Sequence, residues 1–149
     1  MASNDIVEAV AKASATILVV HGKVLVRITI CSYLQDCGYR VVPAADSDEA
    51  LTVLEAPDQP VDVVLSEVEI DGAMDGFALA QWVRAHRPGL PMMLVGSPSA
   101  AANAATELCN ASPTATRVHH PDAILTQIQR LLAERDAAQS SLRDRSRSE

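Results

Sequence analysis

Three short apolar runs constrain this chain more than any other feature: TILVV at Thr16–Val20, VDVVL at 61–65 and PMMLV at 91–95. Each is bounded by turn residues and lacks the alternation of a half-exposed strand. Such runs read as strands buried on both faces, the kind found inside a parallel sheet. A shorter run, YRVVP at 39–43, and a weaker one, TATRV at 114–118, read as two more strands. Helical patterns fill the gaps. The first spans about Val24 to Cys37, with Leu25, Ile28, Tyr33 and Leu34 as its apolar face, broadened by Val24, Val26 and Ile30, and Gly38 ends it. Asp46, Ser47 or Asp48 caps a second, whose buried side is Ala50, Leu51, Leu54 and Ala56. Asp75 or Gly76 opens a third, packed through Phe77, Leu79, Ala80, Trp82 and Val83 and broken at Arg87-Pro88-Gly89. Ser97 or Ser99 caps an Ala-rich fourth that runs to about Cys109. Pro121 opens a fifth, with Ile124, Leu125, Ile128, Leu131 and Leu132 at helical spacing.

Strand followed by helix thus recurs five times. Short crossovers require a parallel sheet with helices on both faces. The expected fold is α/β: a doubly wound, five-stranded parallel sheet of order 2-1-3-4-5. Its expected extent is residues 15–134. Residues 1–14 precede it as a short amphipathic extension, helical or frayed, and residues 135–149 follow as a polar tail without apolar periodicity, expected to be disordered.

Composition narrows the function. Net charge is −7 and only 3% of residues are aromatic, which argues against tracking a nucleic-acid backbone or stacking on its bases. Cys31, Cys37 and Cys109 are odd in number and form no CxxC, so a disulfide framework is not expected; they read as small core residues in a reducing cytosol. The N-terminus has no apolar signal core, and no apolar run approaches a membrane span, so the expected location is cytoplasmic and off the membrane. No GxGxxG or P-loop cradles a phosphate. His21, His119 and His120 lack metal-ligand spacing, and neither a metal nor another cofactor is expected.

The working end of an open α/β sheet is where a strand meets its loop, and Glu67 stands there, after the 61–65 run. ILVV at 17–20 followed by VLVR at 24–27, the segment VDVVLSEVEIDGAMDGFALAQWVR at 61–84, and RPGLPMMLVGS at 87–97 together resemble a bacterial response-regulator receiver domain, CheY-like and flavodoxin-like in fold. The resemblance runs from about Ala15 to Leu132, and stand-alone receivers are the nearest kind.

That family moves a phosphoryl group from a partner's histidine to its own aspartate. The resemblance implies an acid pair for Mg²⁺ at His21 and Gly22, the acceptor at Glu67, a sensing hydroxyl at Val95, a lysine at Arg117 and an aromatic switch at Thr114. None of these positions holds the residue the chemistry asks for. Mg²⁺ wants octahedral oxygen ligands, and phosphoryl transfer without its metal loses most of its charge stabilisation.

The expected function is therefore a pseudo-receiver of two-component phosphorelay signalling that is not an enzyme. It acts independently of phosphorylation, by protein–protein interaction with a histidine kinase, a phosphotransfer protein or another regulator. The expected surfaces are the first helix, or a homodimer face of the fourth helix, fifth strand and fifth helix, made flat by the Ala-rich run at 100–106. A Glu67–Arg117 pair could mimic the phosphorylated state, against a Glu67 simply solvated in a decayed pocket. The alternatives are residual phosphoryl chemistry at Glu67 and a small-molecule-binding flavodoxin-like domain.

Overall fold

A computed structural model describes residues 15–111. The expected fifth strand and helix, with Thr114 and Arg117, lie outside the described residues, as do 1–14 and 135–149. The elements are β1 (Thr16–Val20), α1 (Val24–Asp36), β2 (Arg40–Ala44), α2 (Ser47–Glu55), β3 (Val63–Glu67), α3 (Gly76–His86), β4 (Met92–Val95) and α4 (Pro98–Ala111). The described strands form a parallel sheet of order β2-β1-β3-β4, with Ile17 beside Val63 and Glu67 beside Val95. The winding is the doubly wound one expected, with four strands among the described residues.

Local chemistry places the helix ends. Asp46 and Asp75 accept the Glu49 and Ala78 N–H groups, and the Ser97 hydroxyl accepts that of Ala100. Glu49 returns its carboxylate to the Ala45 N–H. Gly38 follows α1 at φ +100°, the left-handed geometry that a side chain resists.

Two cores flank the sheet. On one face Ile17, Val19, Val63, Leu65 and Val95 pack against α1 and α4; on the other Leu18, Val20 and Val64 pack against α2 and α3. No helix among the described residues is long and apolar enough to cross a membrane.

Four expectations change. The buried side of α1 is Val26, Thr29, Ile30 and Leu34, while Val24, Leu25 and Ile28 are each more than half exposed. Apolar residues lie on every side of this helix, so their spacing does not choose its inward face. Phe77 is also exposed rather than packed. The Ala-rich run is not a flat outer surface: Ala101, Ala102, Ala104 and Ala105 are buried, their small side chains letting α4 lie close on the sheet. Finally, Cys37 and Cys109 are joined in a disulfide with Cα atoms 5.4 Å apart. They come from the ends of α1 and α4, which pack side by side, a proximity that a separation of 72 residues conceals.

The helix α3, between β3 and β4, lies on the α2 face, whereas α4 lies on the α1 face. The four described helices therefore cover both faces of the sheet, α1 and α4 on one side and α2 and α3 on the other. On the other face, a groove of about 300 Å³ remains between α3 and β4, lined in part by Val83, Leu90, Met92 and Leu94.

Candidate functional site

The carboxyl ends of β1 and β3 bring His21, Gly22 and Glu67 together. The two strands are hydrogen-bonded neighbours, with Val20 beside Ser66, so the residues that follow share one edge of the sheet. Ser66 is buried inside β3, and its hydroxyl donates to the Glu67 carbonyl. Gly76 lets the start of α3 rest on the strand end. A Cβ there would lie 2.6 Å from the Glu67 carbonyl oxygen, and the Gly76 N–H donates to Val68 at 2.8 Å.

His21 is a buried ring, only 2% exposed. Its Nδ1 accepts the Lys23 N–H at 3.1 Å and lies 3.1 Å from Glu67 Oε2, while Nε2 is buried without a hydrogen-bond partner. The same Glu67 oxygen accepts the Gly22 N–H at 3.4 Å. Arg27, one turn into α1, donates to the His21 carbonyl at 2.7 Å.

These contacts set the charges. Burial lowers the His21 pKa to about 4, helped by the nearby Lys23 and Arg27 cations. The ring is therefore neutral at neutral pH, and its contact with Glu67 is not a full ion pair there. Burial pushes the Glu67 carboxyl up, against the Gly22 N–H and the Lys23 charge, while Glu69 and Asp71 push it further up. The Nδ1 lone pair is taken by the Lys23 N–H, so the donor that Glu67 Oε2 meets here is the Gly22 N–H.

The geometry does not fit a magnesium site. Magnesium needs several oxygen ligands. Here one carboxylate faces a ring nitrogen and backbone amides, and no three His, Cys, Asp or Glu side chains among the described residues are placed to hold a metal. Val95, beside Glu67 in the sheet, is buried and has no hydroxyl to offer a ligand. Glu67 turns to the β1–α1 loop; its expected partner Arg117 lies outside the described residues.

Sequence reasoning gathered His21, Gly22 and Glu67 correctly in space but missed Lys23 and Arg27, which fix the loop. Two cations within six residues of His21, at the start of a helix, were the available signal.

Comparison with known proteins agrees with this architecture. The model of the response regulator receiver domain matches residues 17–113. No curated protein matches the chain. Among solved structures, the chemotaxis response regulator CheY4 of Vibrio cholerae is 27% identical, over 78% of this chain and 98% of that one, at a TM-score of 0.50. A receiver domain protein from Clostridium thermocellum is 16% identical, over 83% and 98%, at 0.53. The receiver domain of the hybrid histidine kinase CckA is 32% identical, over 54% and 73%, at 0.49. With its parallel sheet wound β2-β1-β3-β4 and the receiver model matched along most of the described residues, the chain belongs to the response regulator receiver family of two-component signalling.

Proposed function

We propose that this receiver works by binding another protein and not by accepting a phosphoryl group. The observation that carries the reading is the closure of Glu67 onto the β1–α1 loop: its Oε2 accepts the Gly22 N–H and lies 3.1 Å from His21 Nδ1. A phosphoryl acceptor must instead present its carboxylate to a metal and an incoming phosphorus. The same contacts disfavour a Glu67 that mimics a phosphorylated aspartate, because the carboxylate is turned inward to the loop.

The partner surface is α1. Val24, Leu25 and Ile28 are exposed by 54%, 51% and 55% and follow directly on the loop that Glu67 braces. Grouped apolar side chains of this kind mark a contact face. The partner class is a histidine kinase, a phosphotransfer protein or another regulator, met in the cytoplasm, and the protein itself is not an enzyme.

Incubation with acetyl phosphate and Mg²⁺, read by intact mass, tests this. The expected result is no added phosphoryl mass and no change in melting temperature. An adduct that maps to Glu67 would overturn the proposal and favour residual phosphoryl chemistry.

A further inference from the structure

We propose that Cys37 and Cys109 form a redox-reversible modification site that fastens α4 to α1, so that a thiol reductant loosens α4 without unfolding the sheet.

Position comes first. Cys37 is the residue that closes α1, and Cys109 lies in the last turn of α4. Both are buried, at 1% and 2% exposure. Helix ends open locally far more readily than the strands they cover. A reductant can therefore reach this bond through fraying of two helix ends while β1 and β3 stay paired.

The bond also holds a weakly anchored element. The inward residues of α4 are mainly alanines, with Leu108 its one large fully buried side chain. Apolar stabilisation follows the area removed from water, and alanines remove little. Beside the bond, the Tyr39 hydroxyl donates to the Leu108 carbonyl. The disulfide and this hydrogen bond tie the same end of α4 to the same end of α1. Releasing the first leaves Ala-lined packing to hold the helix, and α4 covers Val26, Ile30 and Leu34 on the underside of α1.

The third cysteine does not compete. Cys31 is half-buried on α1, and burial pushes its thiol up to about 11, so it stays protonated and exchanges slowly. Reduction proceeds by ordinary thiol–disulfide exchange. A small-molecule thiolate attacks one sulfur of the pair, the S–S bond breaks, and the other cysteine leaves as a thiolate and takes a proton. A second thiol attacks the mixed disulfide and frees the remaining cysteine. Two small thiols lose two electrons and become one disulfide; the protein gains two electrons and two protons.

The test uses the full chain, equilibrated in glutathione buffers from fully oxidised to fully reduced. The samples are quenched, alkylated under denaturing conditions and weighed; a parallel set is followed by amide hydrogen exchange. The expected result is one alkylated cysteine, Cys31, in oxidising buffer and all three in reducing buffer, the last two appearing together. Exchange at 98–111 should quicken about tenfold or more on reduction, while β1 and β3 keep their protection. A Cys37→Ser, Cys109→Ser double variant should match the reduced form in either buffer, and Cys31→Ser should leave the transition in place. Three alkylated cysteines in oxidising buffer would overturn the proposal. So would unchanged exchange at 98–111, or loss of protection in β1 and β3 along with it, since the bond would then be a fixture of the whole fold.

Discussion

Acid titration of stability probes the His21–Glu67 contact most directly. His21 is protonated near pH 6.5 in the unfolded chain but only near 4 when folded. The unfolded state therefore binds the extra proton first as pH falls. The His21 contribution is fully present above pH 6.5 and is lost as pH falls toward about 4. At 1.36 kcal/mol per pKa unit, the loss across that window is about 3 kcal/mol. Glu67 acts with the opposite sign. Its pKa is raised above 4.5, so stability from this group falls as pH rises from 4.5 through its folded value. The two atoms are 3.1 Å apart, so each group is best followed with the other replaced. Urea unfolding followed by Trp82 fluorescence, in steps of pH between the two His21 values, separates them. The wild type should lose stability toward acid. His21→Gln should lose much less over the same window, and Glu67→Gln should lose more steeply than the wild type because the opposing group is gone. If His21→Gln kept the wild-type acid slope, the buried ring would not be the titrating group and the reasoning would fail.

Other perturbations have defined outcomes. Gly76→Ala places a Cβ 2.6 Å from the Glu67 carbonyl oxygen and 2.8 Å from Val68 Cα, both backbone, so α3 must shift; a loss of roughly 1–3 kcal/mol in chemical unfolding is expected. Leu25→Glu with Ile28→Glu changes two exposed positions and should leave the melting temperature within a degree or so, while capture of the partner falls about tenfold or more.

The sheet was legible because its strands are short, apolar and separated by turn residues, and the caps because Asp46, Asp75 and Ser97 are short acceptors placed just before apolar periodicity. The inward face of α1 was not, because VLVRITIC offers apolar residues in every direction and the sheet makes the choice. The disulfide was not, because it joins two helix ends brought together by crossovers that no local spacing records. At the site, position was legible and bonding was not. Residues 21, 22 and 67 follow from strand order, but a buried histidine whose pKa burial lowers, facing a carboxyl whose pKa burial raises, depends on how deeply the loop sits.

If missing carboxylates alone keep this site from taking a metal, adding them back should restore binding in a particular order. Glu67→Asp alone shortens the side chain and gives up the Gly22 N–H contact, yet leaves a single acid; no Mg²⁺ heat is expected by calorimetry. Gly22→Asp is sterically open, since a Cβ there meets only the Ala45 carbonyl oxygen at 3.9 Å and residue 22 is exposed. His21→Asp is harder, because the ring is 2% exposed and an acid in its place would be desolvated unless a cation arrived with it. The double variant Gly22→Asp, Glu67→Asp should therefore bind Mg²⁺ weakly, and the triple variant should bind more tightly but fold less stably without the ion. Added Mg²⁺ should raise the triple variant's melting temperature, because a ligand held only by the folded state stabilises it. Heat from Glu67→Asp alone would show that the His21 loop already supplies enough oxygens, and that the length of the side chain at position 67, not the identity of its neighbours, decides whether this site takes a metal.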